Sequence, residues 1–205
     1  MAEPPVILKL NPKETLEKHD PKKHLAGYYE VLRVENRKVN LVSRETMAEG
    51  LEVLAAESIL PLEQISGGRF HSYLDIGSGG GFPAIPIIML NDVEQAVLLE
   101  RNSKKSLALE RIVKTLGLSE RVRIKFSDFE QYVPPGNFDL VTLRLVKLTA
   151  KIARKVSSIL VAGGHFVYYS FPPEDFSASS LNFVSYCYKG SKGAPEKNFT
   201  IFQRK

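Results

Sequence analysis

The sequence predicts an α/β fold: a mostly parallel sheet with helices on both faces, preceded by an N-terminal helical cap and ending in an antiparallel C-terminal hairpin. Three observations predict it. From Gly67-Gly68 onward, short β-prone runs alternate with helical runs, the order that builds parallel βαβ units. A strand-like run, Tyr73-Leu74-Asp75-Ile76, feeds straight into the glycine-dense turn Gly77-Ser78-Gly79-Gly80-Gly81 and then into an apolar segment that can become a helix. Two closing β-like runs, about 182–188 and 198–203, have no helical pattern between them and should pair antiparallel at the sheet edge.

Taken in order, residues 1 to 12 contain prolines and no periodicity, and are expected to form a loose tail. From about Pro12 to Arg37 and from Glu45 to Gln64 the pattern is helical, with Leu51, Leu54, Ala55, Ile59 and Leu62 recurring at three- and four-residue steps. These segments form the cap, so the chain divides into 1–66, tail and cap, and 67–205, the sheet domain. Strands are expected near 72–76, 95–99, 122–126, 138–143 and 163–170, with helices near 84–90, 103–116 and 147–160.

The spacing of the glycines selects a ligand. Glycine serves where φ must be positive or where a ligand approaches the backbone too closely for a Cβ, and a strand-to-helix turn lies at the carboxyl edge of the sheet, where such folds bind ligands. A dinucleotide fingerprint would place a third glycine on the helix, where Phe82 stands, and a phosphate loop would end in Gly-Lys-Ser/Thr, which is absent. The pattern D-x-G-x-G-x-G, met by Asp75, Gly77, Gly79 and Gly81, fits S-adenosylmethionine (AdoMet), with Ser78 and Phe82 completing the lining. About 20 residues downstream, Val97-Leu98-Leu99-Glu100 ends a strand on an acidic residue suited to accept hydrogen bonds from ribose hydroxyls.

Composition excludes other classes. The 205 residues suffice for one substantial core, and the longest apolar run, Phe82 to Leu90, carries two prolines and is far shorter than the ~20 residues of a spanning helix. The N-terminus lacks the basic and apolar regions of a secretory signal, and the lone Cys187 rules out an internal disulfide framework. A cytoplasmic protein is expected, with no membrane partner. His19, His24, His71 and His165 are too scattered to suggest a metal site. Residues 1–70 carry 10 Lys+Arg and 11 Asp+Glu, against 18 and 12 in residues 71–205, so the basic excess lies on the sheet domain. Arg144, Lys147, Lys151, Arg154 and Lys155 would share one arc of a helix and offer a phosphate contact, with Arg101, Lys104 and Lys105 a second basic cluster beside the glycine turn. The alternative for such a stripe is a solvated helix face.

The order Asn40-Leu41-Val42-Ser43, Glu57-Ser58, Leu74-Asp75-Ile76-Gly77-Ser78-Gly79-Gly80-Gly81-Phe82-Pro83-Ala84-Ile85-Pro86, Leu98-Leu99-Glu100-Arg101 and Lys104-Lys105 resembles the RsmG family, also called GidB, over about residues 25 to 205. The Phe-Pro-Ala-Ile-Pro continuation is particular to that family. The resemblance implies a Rossmann-like AdoMet-dependent methyltransferase that acts on N7 of a guanine in bacterial small-subunit (16S) ribosomal RNA, whose partner is that RNA or the small subunit. A monomer is expected. Carried over by position, Asp75, Gly77, Gly79, Gly81 and Phe82 would line the methionine and ribose end, Glu100 would hold the ribose, and Asp128 and Phe129 would frame the adenine. Arg144 would stand beside the reacting methyl as the catalytic residue. Asn40 and Ser43 would form the substrate entrance, with Lys104, Lys105, Lys147, Lys151 and Lys197 on the RNA side. The chain departs from the family pattern at Ala55-Ala56-Glu57-Ser58, Leu143-Arg144-Leu145 and Tyr169-Ser170, all on the substrate side. Two other readings therefore stand beside the first: a methyltransferase acting on another RNA or a small molecule, and a cofactor-binding, RNA-associated protein without turnover.

Overall fold

The computed structural model describes residues 4–173, 176, 180–190 and 195–205. Among these, eight strands form one sheet in the order β1-β7-β8-β6-β5-β2-β3-β4. The strands are β1 (Val6–Lys9), β2 (Arg69–Ile76), β3 (Asp92–Glu100), β4 (Val122–Phe126), β5 (Phe138–Leu143), β6 (Leu160–Tyr168), β7 (Leu181–Lys189) and β8 (Glu196–Arg204). β2, β3, β4, β5 and β6 run parallel, while β8 pairs antiparallel with both β6 and β7. The chain moves outward from β2 through β3 to β4, then returns to the other side of β2 with β5. That reversal opens a crevice at the carboxyl ends of β2 and β5, where an α/β sheet places its ligand site.

Helices α1 (Pro12–His19), α2 (Leu25–Asn36), α3 (Leu51–Ile59), α4 (Ala84–Leu90), α5 (Ser103–Thr115) and α6 (Ala150–Ile159) cover the sheet. Cap residues such as Tyr28, Leu32 and Ile59 share one apolar core with Ile85 and Ile88 of α4 and Leu109 and Ile112 of α5. Ile152, Val156 and Ile159 of α6 build the core of the opposite face with Leu74, Val141 and Phe166. Burying each such side chain contributes about 1.5–3 kcal/mol.

Four expectations are corrected. The tail is not loose where it is described: Val6–Lys9 pairs in parallel with Tyr186–Lys189, and Leu10 is buried; residues 1–3 lie outside the described residues. The closing hairpin is therefore not the sheet edge as expected: β-branched and apolar Val6-Ile7-Leu8 add a strand outside β7, a tertiary gain invisible to local periodicity. The helix expected from Pro12 to Arg37 breaks after His19, because Pro21 disfavours helical geometry at Asp20. Asp20 then caps α2, its two carboxylate oxygens accepting from the backbone N–H groups of His24 (2.6 Å) and Leu25 (3.0 Å). The helix expected over 147–160 starts only at Ala150, where Thr149 supplies the cap by accepting from Ile152 N–H (3.2 Å). Arg144 and Lys147 are therefore not on it, and the five-cation helical stripe does not exist as a unit.

Candidate functional site

The glycine turn is anchored on three sides. Gly77 and Ser78 N–H both donate to the carbonyl of Leu99 (2.9 Å each), tying the turn to β3. Gly79 N–H donates to Glu100 Oε2 (2.9 Å), and Tyr28 Oη of the cap donates to the carbonyl of Gly80 (2.8 Å). The glycines serve different ends. At Gly79, φ is 53° and a Cβ would meet only a backbone oxygen 3.9 Å away, so the position is open toward the cavity. At Gly81, φ is 98° and a Cβ would lie 2.7 Å from Ile85 Cγ1 and 3.0 Å from Tyr28 Oη, so this glycine admits the cap and α4 rather than a ligand. Phe82 packs on Tyr28 with ring centroids 5.2 Å apart and lines the cavity with its remaining surface.

Two cavities meet over the turn. One, of about 400 Å3, lies between Leu99, Glu100, Asp128, Phe129 and Ile152, with Lys147 at its edge. The other, of about 520 Å3, is lined by Ser43, Gly79, Phe82, Lys105 and Arg144, among others. Gly77, Glu100, Leu145 and Val146 belong to both walls. Such volumes are typical of small-molecule and cofactor sites.

Asp75 is buried beneath the turn. Thr142 Oγ1 donates to its Oδ1 (2.5 Å), so Tyr73 Oη, 2.7 Å from the same hydroxyl, must donate to Thr142 in turn. Burial pushes the Asp75 carboxyl up to about 6, partly offset by the hydroxyls of Ser78 and Thr142; the charge of Glu100 raises it further and that of Arg144 lowers it. Its Oδ2 has no partner. Glu100 closes the other side of the turn, its Oε1 accepting from Asn102 N–H (2.7 Å) while Oε2 holds Gly79.

Arg144 leaves β5 at this edge and is mostly buried. Its Nη2 donates to Glu57 Oε2 (2.6 Å) and its guanidinium lies over the Tyr169 ring, 5.4 Å from the centroid. Lys197 donates to the other oxygen of Glu57 (2.6 Å), so one buried carboxylate of α3 binds cations from β8 and the end of β5. Arg144 Nη1 has no partner. Of the three buried side-chain polar atoms without a partner among the described residues, Arg144 Nη1 belongs to a residue lining the larger cavity, and Asp75 Oδ2 lies near the end of β2, just before the glycine turn.

The remaining expected residues separate into two groups. Ser43 lines the larger cavity and holds Thr46, while Asn40 is exposed just before it; Asn36 sets this turn by accepting from Leu41 and Val42 N–H (2.7 and 3.0 Å). Lys104 is exposed and Lys105 lines the larger cavity. Lys151 is paired with Glu130 (2.5 Å). Lys155, read above as an RNA contact, instead donates to the carbonyls of Phe129, Glu130 and Tyr132 (2.6, 2.9 and 2.6 Å) and covers the Phe129 ring. It pins the wall of the smaller cavity. Sequence reasoning missed Asn36, Glu57, Leu145 and Lys155 in these roles; the one signal was Glu57 itself, a carboxylate amid Ala55-Ala56 and Ile59-Leu60, which burial obliges to find a cation.

A parallel sheet, a glycine turn, an acid at the next strand end and a paired cavity at the switch point define a Rossmann-like methyltransferase fold. The backbone resembles the O-methyltransferase of Bacillus cereus (TM-score 0.64, 16% identity, covering 95% of this chain and 96% of that one). It also resembles the N-methyltransferase NodS of Bradyrhizobium japonicum (TM-score 0.57, 15% identity, 87% and 98%). Sequence narrows the class. The GidB family, described as rRNA small subunit methyltransferase G, matches residues 21–175. Ribosomal RNA small subunit methyltransferase G of Laribacter hongkongensis is 31% identical over 142 residues, 69% of this chain and 67% of that protein. The protein of that name from Helicobacter pylori (strain HPAG1) is 32% identical over 145 residues, 71% and 79%. The chain belongs to the GidB family.

Proposed function

We propose that this protein transfers a methyl group from AdoMet to N7 of a guanine in 16S ribosomal RNA, acting as a monomer in the cytoplasm on the small subunit or its RNA. The observation that carries the reading is the pair of cavities joined over the glycine turn, with an unpartnered acceptor, Asp75 Oδ2, and an unpartnered donor, Arg144 Nη1, at the ends of β2 and β5. Among the described residues no helix is long and apolar enough to cross a membrane, and none of their His, Cys, Asp and Glu side chains form a group of three able to hold a metal.

The residues present fit the cofactor. Asp75 Oδ2 suits an ammonium group, the open backbone at Gly79 admits a flat ligand, Glu100 retains lone pairs for ribose hydroxyls, and Phe129 and Ile152 offer apolar walls to an adenine beside Asp128. Bound there, AdoMet supplies an electrophilic methyl on a sulfonium. Guanine N7 carries a lone pair and no proton, so the protein needs no general base; its contribution is orientation. Arg144, held by Glu57 and Tyr169, has one guanidinium nitrogen without a protein partner, which, turned toward the cavity it lines, would meet the O6 and N7 edge of the base or its phosphate. Ser43, Lys105 and Lys147 surround the opening, with Asn40 and Lys104 beyond it.

The test is methyl incorporation into small subunits from cells lacking the modification, followed by mapping of the methylated base. Incorporation at a guanine N7 is the expected result. Incorporation elsewhere would favour another RNA or substrate, and none, despite AdoMet binding, would favour a protein without turnover.

A further inference from the structure

We propose that Leu145 is an apolar wedge that enters the RNA stack in place of the target base when that base turns into the cavity. The proposal rests on the RNA reading above and assigns it a positioning residue. Leu145 is 98% exposed, more than any other large apolar side chain among the described residues, and packs in neither core. Its φ is 59°, one of two positive values at non-glycine positions among the described residues, a conformation that L-residues disfavour. A leucine held in a disfavoured backbone conformation so that its side chain stands in water gains nothing for the fold. Such strain persists where the surroundings impose it, and it concentrates at functional positions.

The surroundings do impose it. On one side Arg144 is clamped to Glu57. On the other, Val146 abuts the glycine turn, its Cγ2 lying 3.0 Å from where a Cβ of Gly77 would stand, and Leu148 N–H is held by Tyr168 Oη (3.3 Å). Leu145 is thus the displayed tip of a short connection fixed at both ends, on the rim shared by the two cavities. A base drawn into the larger cavity leaves a gap in its own stack, and unstacking costs a few kcal/mol. Proteins that open base steps fill the gap with Leu, Ile, Phe or Met. Leu145 has that chemistry, stands at the entrance the base must cross, and is followed by the exposed Lys147, placed for the adjoining phosphate.

The experiment compares wild type with Leu145→Asn, Leu145→Ala and Leu145→Met in single-turnover methyl transfer to unmodified small subunits, with AdoMet affinity measured by calorimetry and melting temperature as controls. Asparagine tolerates positive φ, so this variant should melt no lower than wild type. Leu145→Asn and Leu145→Ala should lose about tenfold or more in transfer rate, equivalent to about 1.4 kcal/mol, with cofactor affinity unchanged. Leu145→Met, which keeps an apolar reach, should retain most of the rate. Wild-type rates in Leu145→Asn would overturn the proposal, and so would a matching loss of AdoMet affinity, which would make Leu145 a cover for the cofactor. No transfer by the wild type would overturn the RNA reading and the wedge with it.

Discussion

Asp75 carries a cost that the cofactor can relieve. Its carboxyl is raised to about 6 in the folded chain against an ordinary 3.8, chiefly by burial. The unfolded chain therefore releases this proton first, so the group's contribution to stability is lost as pH rises from about 4 to 6, reaching a cost of about 3 kcal/mol above that window. The difference in unfolding free energy between wild type and Asp75→Asn, followed across pH 4 to 7 in urea, should show that slope. An ammonium beside Oδ2 favours the ionised form, so AdoMet affinity should fall about tenfold per pH unit below about 6 in the wild type and stay flat in Asp75→Asn. Arg144 works by shape as well as by charge. Lysine at this position can still meet Glu57 but lacks the planar fork that leaves a second nitrogen free. Arg144→Lys should therefore bind AdoMet normally and lose at least about tenfold in single-turnover transfer. A wild-type rate would reduce Arg144 to a clamp for Glu57.

At the scale of elements, the basic residues expected on one helix face divide by what the fold does with each. α6 begins at a threonine cap, leaving Arg144 in the site and Lys147 at the cavity edge. Lys155 is spent on three carbonyls of the turn after Asp128, and that turn walls the smaller cavity. Lys155→Met should lower stability by about 3 kcal/mol, from three unmade hydrogen bonds worth roughly 1 kcal/mol each, and weaken AdoMet binding while leaving the salt dependence of RNA binding in place. Neutralising Lys147 and Arg154 should do the reverse, reducing the salt slope by up to about one counterion per lost phosphate contact. Equal salt-slope losses in both variants would restore Lys155 to the RNA surface.

Over the whole molecule, the N-terminal strand and the cap make the sheet and its site one structure. β1 covers β7, and Leu10 continues the strand, its N–H donating to the carbonyl of Lys189 (3.1 Å). Removing residues 1–10 should lower unfolding free energy by about 2 kcal/mol or more, since Leu10 alone is worth roughly that on burial. It also replaces the four-residue edge strand β1 with the nine-residue β7 as the sheet edge, so the truncated chain should self-associate more than the full chain in light scattering. The cap acts on the site more directly. Tyr28 holds the glycine turn and Glu57 holds Arg144, so cap and sheet each complete the other's polar groups.

By itself the sequence determined the repeating strand and helix order, the glycine turn, the acid at the end of β3 and the terminal hairpin, because each is written in consecutive residues whose periodicity and backbone needs are local. β4, β5 and α4 were legible to the residue for the same reason. Only the tertiary structure decided the rest. The strand at Val6–Lys9 depends on a partner some 180 residues away. Gly81 serves packing rather than a ligand because Tyr28 and Ile85 converge on it. Glu57 is a site residue only because two cations from distant strands reach it. Lys155 became a wall support, and Leu145 an exposed tip, because their neighbours fix the connections between elements. Hydrogen bonds and burial across the sheet carry no periodic signal along the chain, so a side chain's role there follows from which elements meet around it.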